Sequence, residues 1–247
     1  MKKILIALIF ALLVFAGCTQ NTQTEIETLR VYTYDSLASD YGLGPIVVPK
    51  FEQECNCKVE LVSAGDAGQV LSRLVLEKGK DSADVVIGID NSLKSKAIKA
   101  GVLEKFTPPN ISVVPQEFLF DKEGYLTPYD YGFIAFVYDK TKLDAPKNFE
   151  DLLDSRFEKK IVIQNPRSSS PGLSFLLWTI AVYGEDGYKD YWMKLKPNIL
   201  TVTSSWDESA GLFSAGETPM YLSYATSPPY YVQFEDQNNF LAAEFDE

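Results

Sequence analysis

Hydrophobic residues recur along this chain in two alternating spacings, one typical of buried strands and one of amphipathic helices. In the first half, short apolar runs predict strands at residues 29–34, 58–63 and 83–89, the last of them fully buried. Residues 68–78 predict an amphipathic helix, and a second helix is predicted from a cap at Asn91 to residue 100, where Gly101 ends it. This order predicts a mostly parallel sheet that is covered on both faces.

The same alternation returns after a Thr-Pro-Pro break at residues 107–109. Strands are predicted at residues 133–138, 160–164, 200–203 and 220–224. Helices are predicted near residues 149–157, 171–183, 187–194 and 207–213. Because the pattern occurs twice, the sequence predicts two α/β lobes.

The first 17 residues have the pattern of a secretory signal. Two lysines precede an apolar run at residues 4–17, which is too short to span a bilayer as a folded helix. Small residues precede Cys18, as in the lipobox of lipoproteins, so we expect cleavage before Cys18 and acylation of its thiol; an ordinary signal that is cleaved nearby is the alternative. Residues 18–28 are polar and predict a tether. The sequence therefore predicts an extracytoplasmic, lipid-anchored protein.

Composition narrows the chemistry that is open to the chain. A hydrophobic content of 46% is ample for a core, and the net charge of −11 disfavours nucleic acid and anionic lipid as partners. The absence of histidine removes the commonest general base and metal ligand, which argues against a serine triad or a zinc site. Cys55 and Cys57 are too few for structural zinc. We expect a disulfide between them, with two unreactive thiols as the alternative.

Polar and aromatic residues follow the predicted strands. In open parallel sheets, ligands bind beyond the carboxyl ends of the strands. Aromatic faces there can hold a flat cation for ~0.5–2 kcal/mol each, a carboxylate such as Asp66 can offset positive charge, and the helix start after Arg167 suits an oxygen-rich group. The pattern favours a ligand with an aromatic ring, a positive charge and an oxygen-bearing tail. The residues in question are Tyr34, Asp35, Tyr41, Asp66, Asp90, Asn91, those at 167–172, those at 205–207 and those at 224–231.

Four strings, CNC, DYGFIAFVYD, NPRSSSPG and SYATSP, occur in an order and spacing that resemble the thiamine-binding solute receptors of ABC importers. The resemblance covers nearly all of residues 29–247. It implies a two-lobed periplasmic-binding-protein type II fold with mixed, mostly parallel sheets. Lobe 1 would occupy residues 29–127, lobe 2 residues 128–224, and an incomplete return crossing into lobe 1 residues 225–247. Members of the family continue further, so helices that complete lobe 1 are expected to be missing.

The resemblance also implies a function without a chemical step. A monomer would bind thiamine or its mono- and diphosphate in a cleft between the lobes and deliver it to an ABC permease and ATPase, with no cofactor and no metal. The lobes would close about hinges near residues 127–132 and 223–227. Matched to the family's motifs, the thiamine contacts fall on Asp66, Ala67, Ser169, Ser170, Trp206, Tyr224, Ala225, Thr226 and Ser227, with Tyr34, Tyr41 and Tyr230 lining the same cleft.

Two departures from the family pattern bear on affinity. Ala67 stands where relatives often have glycine, and Tyr41 replaces a frequent tryptophan. Two other functions stay open. A ferric-iron receptor of the same fold type would use the paired Tyr230 and Tyr231. A thiamine-processing enzyme would need Cys55 or Cys57 as its nucleophile, with no histidine to activate it.

Overall fold

The computed structural model of the protein describes residues 26–245. Within this range the first sheet contains three parallel strands, in the order β2-β1-β3. Its strands are β1 (Thr28–Thr33), β2 (Lys58–Ser63) and β3 (Val85–Val86). The helices that accompany it are α1 (Asp35–Ala38), α2 (Gly44–Cys55), α3 (Ala67–Leu76) and α4 (Lys94–Ala100).

In the same described range the second sheet contains five strands, in the order β6-β5-β7-β4-β8. They are β4 (Ile134–Asp139), β5 (Ile161–Gln164), β6 (Ile199–Thr203), β7 (Met220–Tyr224) and β8 (Phe240–Ala242). The β6-β5-β7 part is parallel, whereas β4 runs antiparallel to both β7 and β8. The helices are α5 (Ser170–Leu195), α6 (Trp206–Ser214) and α7 (Ser227–Phe234). Together the sheets give the expected mixed α/β fold.

Each lobe has a hydrophobic core of its own. In the first lobe, α3 buries Val70 and Leu71 against Tyr32 of β1, as its amphipathic pattern predicts. In the second lobe, the Phe136 and Phe175 rings meet edge to face at 5.2 Å between centroids. Two separate cores explain how the lobes can act as units on either side of a cleft.

The third predicted strand is wrong in extent and in burial. Only Val85 and Val86 pair with β1, and the Val85 side chain is 39% exposed, because β3 lies at an edge of the described sheet. The helix that follows begins at Lys94 rather than after Asn91, since the preceding turn is held by Asp90. The Asp90 carboxylate accepts a hydrogen bond from the Leu93 N–H at 2.9 Å. Gly101, with φ of 64°, ends this helix as predicted.

One helical prediction in the second lobe differs from the structure, and another is confirmed. Residues 149–157 form two short 3₁₀ turns, Asp151–Leu153 and Ser155–Phe157, in place of an α-helix. The two helices predicted at residues 171–183 and 187–194 are both present within α5, which is kinked at Gly184, where φ is 70° and ψ is 174°. This backbone conformation is not helical, and only glycine adopts it readily, so Gly184 separates the two helices.

The predicted return of the chain to the first lobe after residue 225 does not occur within the described residues. Helix α7 packs Tyr231 into a second-lobe cluster with Phe213, and β8 pairs with β4 at the edge of the second sheet. Residues 227–242 therefore belong to the second lobe.

The Cys55 and Cys57 sulfur atoms are bonded to each other in the structure, just before β2. The predicted signal, Cys18 and most of the tether lie outside the described residues. From residue 26 to residue 245, none of the helices combines the length and apolar character needed to cross a bilayer.

Candidate functional site

The two lobes meet where β2 ends in the first lobe and β6 ends in the second. Asp66 follows β2 and is the residue from which α3 begins; Trp206 follows β6 and is the first residue of α6. The Asp66 Oδ2 atom accepts a hydrogen bond from the Trp206 backbone N–H at 2.8 Å, and the Asp66 residue is only 7% exposed. A buried carboxylate and an indole from opposite lobes therefore share one point of the cleft.

The environment of Asp66 brings the pKa of its carboxyl group close to neutral pH. Burial is the largest cause and raises the pKa of Asp66 to about 6. The negative charges of Asp207 and Asp35 act in the same direction. The Ser169 hydroxyl and the Trp206 N–H lower the pKa but do not outweigh burial. A cation placed here would favour the ionised form further and be held by it.

Tyr34, Tyr129 and Tyr224 lie near one another, and Tyr224 is close to Asp66. The Tyr34 and Tyr129 hydroxyls are hydrogen-bonded to each other. Burial raises the pKa of all three phenols, and for Tyr224 the nearby charges of Asp66 and Asp90 raise the pKa further. The rings are therefore neutral at physiological pH. Neutral aromatic faces close to carboxylates suit a flat cationic ligand.

A second contact between the lobes involves Tyr41. Its hydroxyl donates a hydrogen bond to the Asp207 Oδ1 atom of the second lobe at 2.5 Å, and its ring lies edge to face with Tyr230 at 5.8 Å between centroids. Tyr41 remains 52% exposed, so this contact lies at the mouth of the cleft. It holds the first-lobe loop against the start of α6.

The serine turn at residues 168–170 brings the start of α5 against the first lobe. The Gly68 N–H donates to the Ser168 carbonyl at 3.0 Å, and the Ser170 hydroxyl donates to the Asp90 carboxylate. Glycine is required at position 68, because a Cβ atom there would lie 2.5 Å from the Arg167 carbonyl oxygen. The close approach of the two elements depends on that missing side chain.

Ser169 is the one residue of this turn whose hydroxyl is not satisfied. It is 2% exposed, and no group in the described part of the chain meets its hydroxyl with good hydrogen-bond geometry, although it lies near enough to Asp66 to affect that carboxyl. A buried polar group without a partner is costly unless something else supplies one. With the free N–H groups at the start of α5, this hydroxyl is available to an oxygen-bearing group of a ligand.

The structure places the remaining predicted residues unevenly. Ala67 is 5% exposed and packs in the first-lobe core. Ala225 and Thr226 are exposed, and the Ala225 N–H donates to the Phe133 carbonyl at 2.9 Å. The Ser227 hydroxyl is turned inward, 2.8 Å from Ser223 Oγ. The other eight predicted residues lie along the contact between the lobes: Asp66, Ser169, Ser170, Trp206, Tyr224, Tyr34, Tyr41 and Tyr230.

Sequence reasoning missed two members of the site. Tyr129 bonds to Tyr34 from the segment that precedes β4, and Ser223 accepts a hydrogen bond from the Trp206 indole N–H at 2.8 Å. Asp207 was noted as a strand-end residue without a role. The signal that could have found Ser223 is the alternation along β7, where every second residue faces the same side as Tyr221.

The charge at the contact between the lobes is negative and uncompensated. Asp35, Asp66, Asp90 and Asp207 lie along it, and none of the four is paired with lysine or arginine within the described residues. Between residues 26 and 245, no group of three cysteine or acidic residues is placed to hold a metal ion. The Tyr231 hydroxyl lies 2.7 Å from that of Tyr221 in the core, so it does not join Tyr230 at the surface. The Asp35, Asp66, Asp90 and Asp207 carboxylates give this contact a negative charge that a cationic group could balance.

Comparison with known proteins shows the family of this chain. Residues 80–229 match the family described as bacterial extracellular solute-binding protein. The chain is 41% identical over 250 residues to the thiamine-binding periplasmic protein of Brucella suis, covering 99% of this chain and 72% of that protein. It belongs to the family of thiamine-binding periplasmic proteins. A relative of the same name from Escherichia coli is 43% identical over 221 residues, covering 89% of this chain and 66% of the relative.

Solved structures of this family share the fold. A periplasmic thiamin-binding protein superposes with a TM-score of 0.80 at 40% identity, covering 93% of this chain and 71% of the other. Iron-bound HitA from Pseudomonas aeruginosa superposes with a TM-score of 0.67 at 21% identity, which shows the fold alone. The fold is the periplasmic-binding-protein type II fold that the sequence predicted.

Proposed function

We propose that this chain is the extracytoplasmic receptor of an ABC importer and that it captures thiamine between its two lobes. The observation that carries the proposal is the buried Asp66 carboxylate, which lies beside Trp206 and close to Tyr224 without a lysine or arginine partner. The high identity to thiamine-binding relatives supports the same ligand. No bond of the ligand is broken, because the task needs only binding and release.

The three chemical parts of thiamine correspond to three parts of the site. The cationic thiazolium and the aminopyrimidine are flat rings that would lie against Trp206 and the tyrosines. Asp66 would balance the positive charge or accept an amino hydrogen. The hydroxyethyl tail, or a phosphate on it, would meet the unsatisfied Ser169 hydroxyl and the start of α5. Binding of the mono- and diphosphate is the finer part of the proposal.

Capture would proceed by closure of the lobes. Hydrogen bonds between the lobes, such as that from Trp206 to Asp66, form when the cleft is shut, and a ligand that contacts both lobes favours this state. The chain passes between the lobes near residues 127–132, where Gly132 lies close to the Tyr224 ring, and we propose a hinge there. The hinge expected at residues 223–227 is not part of the proposal, because the chain stays in the second lobe on both sides of that segment. We further propose that the protein acts as a monomer, is anchored to the membrane through Cys18 and delivers its ligand to a permease.

A ligand panel tests this function. Calorimetric titration with thiamine, thiamine monophosphate, thiamine diphosphate and Fe³⁺ should give saturable one-to-one binding for thiamine. Deazathiamine, in which an uncharged thiophene replaces the thiazolium ring, is the matched control and should bind at least tenfold more weakly if charge matters. Binding of Fe³⁺ with a tyrosinate absorption band, and none of thiamine, would contradict the proposal. Product formation from thiamine would indicate an enzyme instead.

A further inference from the structure

Ser223 of β7 is fully buried and contacts three other polar side chains. Its Oγ atom accepts a hydrogen bond from the Trp206 indole N–H at 2.8 Å. The same atom lies 2.8 Å from Ser227 Oγ and 3.1 Å from the Tyr221 hydroxyl. The Tyr221 hydroxyl is in turn 2.7 Å from that of Tyr231. The Trp206 ring is therefore tied to a hydroxyl network in the second-lobe core.

The capacity of a serine hydroxyl accounts for these contacts. It can donate one hydrogen bond and accept two. Ser223 donates to Tyr221, which leaves two acceptor positions for the Trp206 N–H and the Ser227 hydroxyl. All three positions of Ser223 are then used, and none is left for a ligand. Ser223 therefore supports Trp206 and does not hydrogen-bond to a ligand itself.

The position of Trp206 makes that role consequential. Its backbone N–H is held by Asp66 of the first lobe and its indole N–H by Ser223 of the second. A bond at the indole nitrogen restricts rotation of the ring about its side-chain torsions, which otherwise have several staggered positions. Trp206 also packs against the cluster that contains Phe213, so without Ser223 the ring would keep that contact but lose the one acceptor that fixes its indole N–H.

We infer that Ser223 is a positioning residue that fixes the Trp206 indole in the orientation in which it forms one wall of the ligand cleft. The inference deepens the proposed function, and its effect on affinity rests on that function. A flat cation that stacks on Trp206 binds more tightly if the ring is already held in place. If the ring must be ordered during binding, that ordering reduces affinity. Ser223 would act on the ligand through the orientation of Trp206.

The test combines a spectroscopic measurement and a binding measurement on Ser223→Ala. In the ¹H–¹⁵N spectrum of the ligand-free protein, the Trp206 indole signal, assigned with Trp206→Phe, should shift upfield and exchange faster, while those of Trp178 and Trp192 stay in place. Thiamine Kd should rise about fivefold, as expected for one lost neutral hydrogen bond. In the Trp206→Phe background, the same Ser223→Ala change should have less than a twofold effect.

A matched control separates positioning from general loss of packing. Ser209 is a fully buried serine of the same helix as Trp206, and its hydroxyl lies 2.6 Å from Thr203 Oγ1 rather than against the indole. Ser209→Ala should leave the indole signal and the Kd within twofold of wild type. If Ser223→Ala does not fold, Ser223→Cys, with a weaker acceptor of similar size, replaces it in both measurements.

Two results would overturn the inference. One is an unchanged Trp206 indole signal in the Ser223 variant; the other is an equal loss of affinity in the Trp206→Phe background. Absence of thiamine binding in wild type would contradict the proposed function alone, because the spectrum of the ligand-free protein still tests the link between Ser223 and Trp206.

Discussion

The Asp66 carboxylate of the first lobe accepts a hydrogen bond from the Trp206 backbone N–H of the second lobe at 2.8 Å, across a sequence separation of 140 residues. This bond places the proposed charge-balancing group and the proposed stacking ring at the same point. The same bond joins the two lobes in the absence of a ligand. Asp66 should therefore affect ligand affinity and lobe closure together.

Replacement of the carboxylate should weaken thiamine binding strongly. Asp66→Asn retains the size and an acceptor for the Trp206 N–H but removes the negative charge, and hydrogen bonds to charged groups contribute about 1.5–3 kcal/mol. We expect Kd to rise about 10- to 150-fold in calorimetric titration. Asp236→Asn makes the same chemical change at an exposed position and should leave Kd within twofold. Equal affinities of wild type and Asp66→Asn would remove Asp66 from the site.

Thiamine affinity should fall on acidification through pH 6. The pKa of Asp66 in the unliganded protein is raised to about 6, so about nine-tenths of the carboxyls are ionised at pH 7 and about one-tenth at pH 5. If only the ionised form binds the cation well, Kd at pH 5 is about tenfold higher than at pH 7. A Kd that changes no more in wild type than in Asp66→Asn over this range would count against the prediction.

The contribution of Asp66 to the stability of the unliganded protein should increase on acidification, whereas thiamine affinity should decrease. Because the folded pKa of Asp66 exceeds the unfolded value, its contribution is fully present below about pH 4 and is lost as pH rises through 6. The shift of roughly two units corresponds to about 2–3 kcal/mol. Urea unfolding should therefore show Asp66→Asn gaining on wild type between pH 4 and pH 7. A constant difference between the two proteins would contradict this.

The Tyr41 hydroxyl should prolong the life of the liganded complex. Tyr41→Phe removes the hydrogen bond to Asp207 while the ring stays against Tyr230. A hydrogen bond to a partly exposed carboxylate contributes about 1 kcal/mol, so stopped-flow dissociation of thiamine should be about fivefold faster. Asp207→Asn tests the partner, and the double variant should lose less than the sum of the two. Strict additivity would show that the two groups do not act as a pair.

Asp121 should matter for stability and not for the ligand. Its carboxylate accepts hydrogen bonds from the Glu123, Tyr125 and Leu126 N–H groups and lies 2.6 Å from Lys94 Nζ. Although burial opposes ionisation, these partners hold the pKa of Asp121 well below its usual range. Asp121→Ala removes the acceptor of three backbone N–H groups and leaves Lys94 with only Glu123 as an ion-pair partner, so the free energy of unfolding should fall clearly.

The matched control for Asp121 lies in the same ion-pair group. Glu123 is 3.7 Å from Lys94, and its side chain is 59% exposed. Surface pairs of this kind contribute about 0–1 kcal/mol, so Glu123→Ala should change stability little. Chemical unfolding of both variants checks the difference. Equal losses would mean that the buried network around Asp121 does not hold residues 121–126 in place.

The elements with a strong local signal were predictable from the sequence. β2 and β7 have the predicted bounds, because short β-branched and aromatic runs between turns allow few alternatives. The fully buried strand predicted at residues 83–89 was wrong, since an apolar run does not reveal that its strand lies at the edge of a sheet. Helix α2 was missed because Pro49 within it argues against a helix, although tertiary contacts retain one.

The site was less predictable than the fold. Asp66 and Trp206 stand out because each follows a strand, and this position depends on local order alone. Ser223 and Tyr129 could not be ranked in the same way, because their roles come from partners 17 and 95 residues distant. The inward turn of the Ser227 hydroxyl has the same origin. Motif spacing identifies which segments meet, but the direction of each side chain depends on packing.

Calorimetric titration of thiamine into wild type and into the double variant Asp66→Asn with Trp206→Ala tests the central claim most directly. We predict one saturable site per chain in wild type and a loss of at least 100-fold in the double variant, which corresponds to about 2.7 kcal/mol. Thermal unfolding should show that the variant is still folded. Undiminished thiamine binding by the folded double variant would contradict the claim that the ligand is held in the cleft between Asp66 and Trp206.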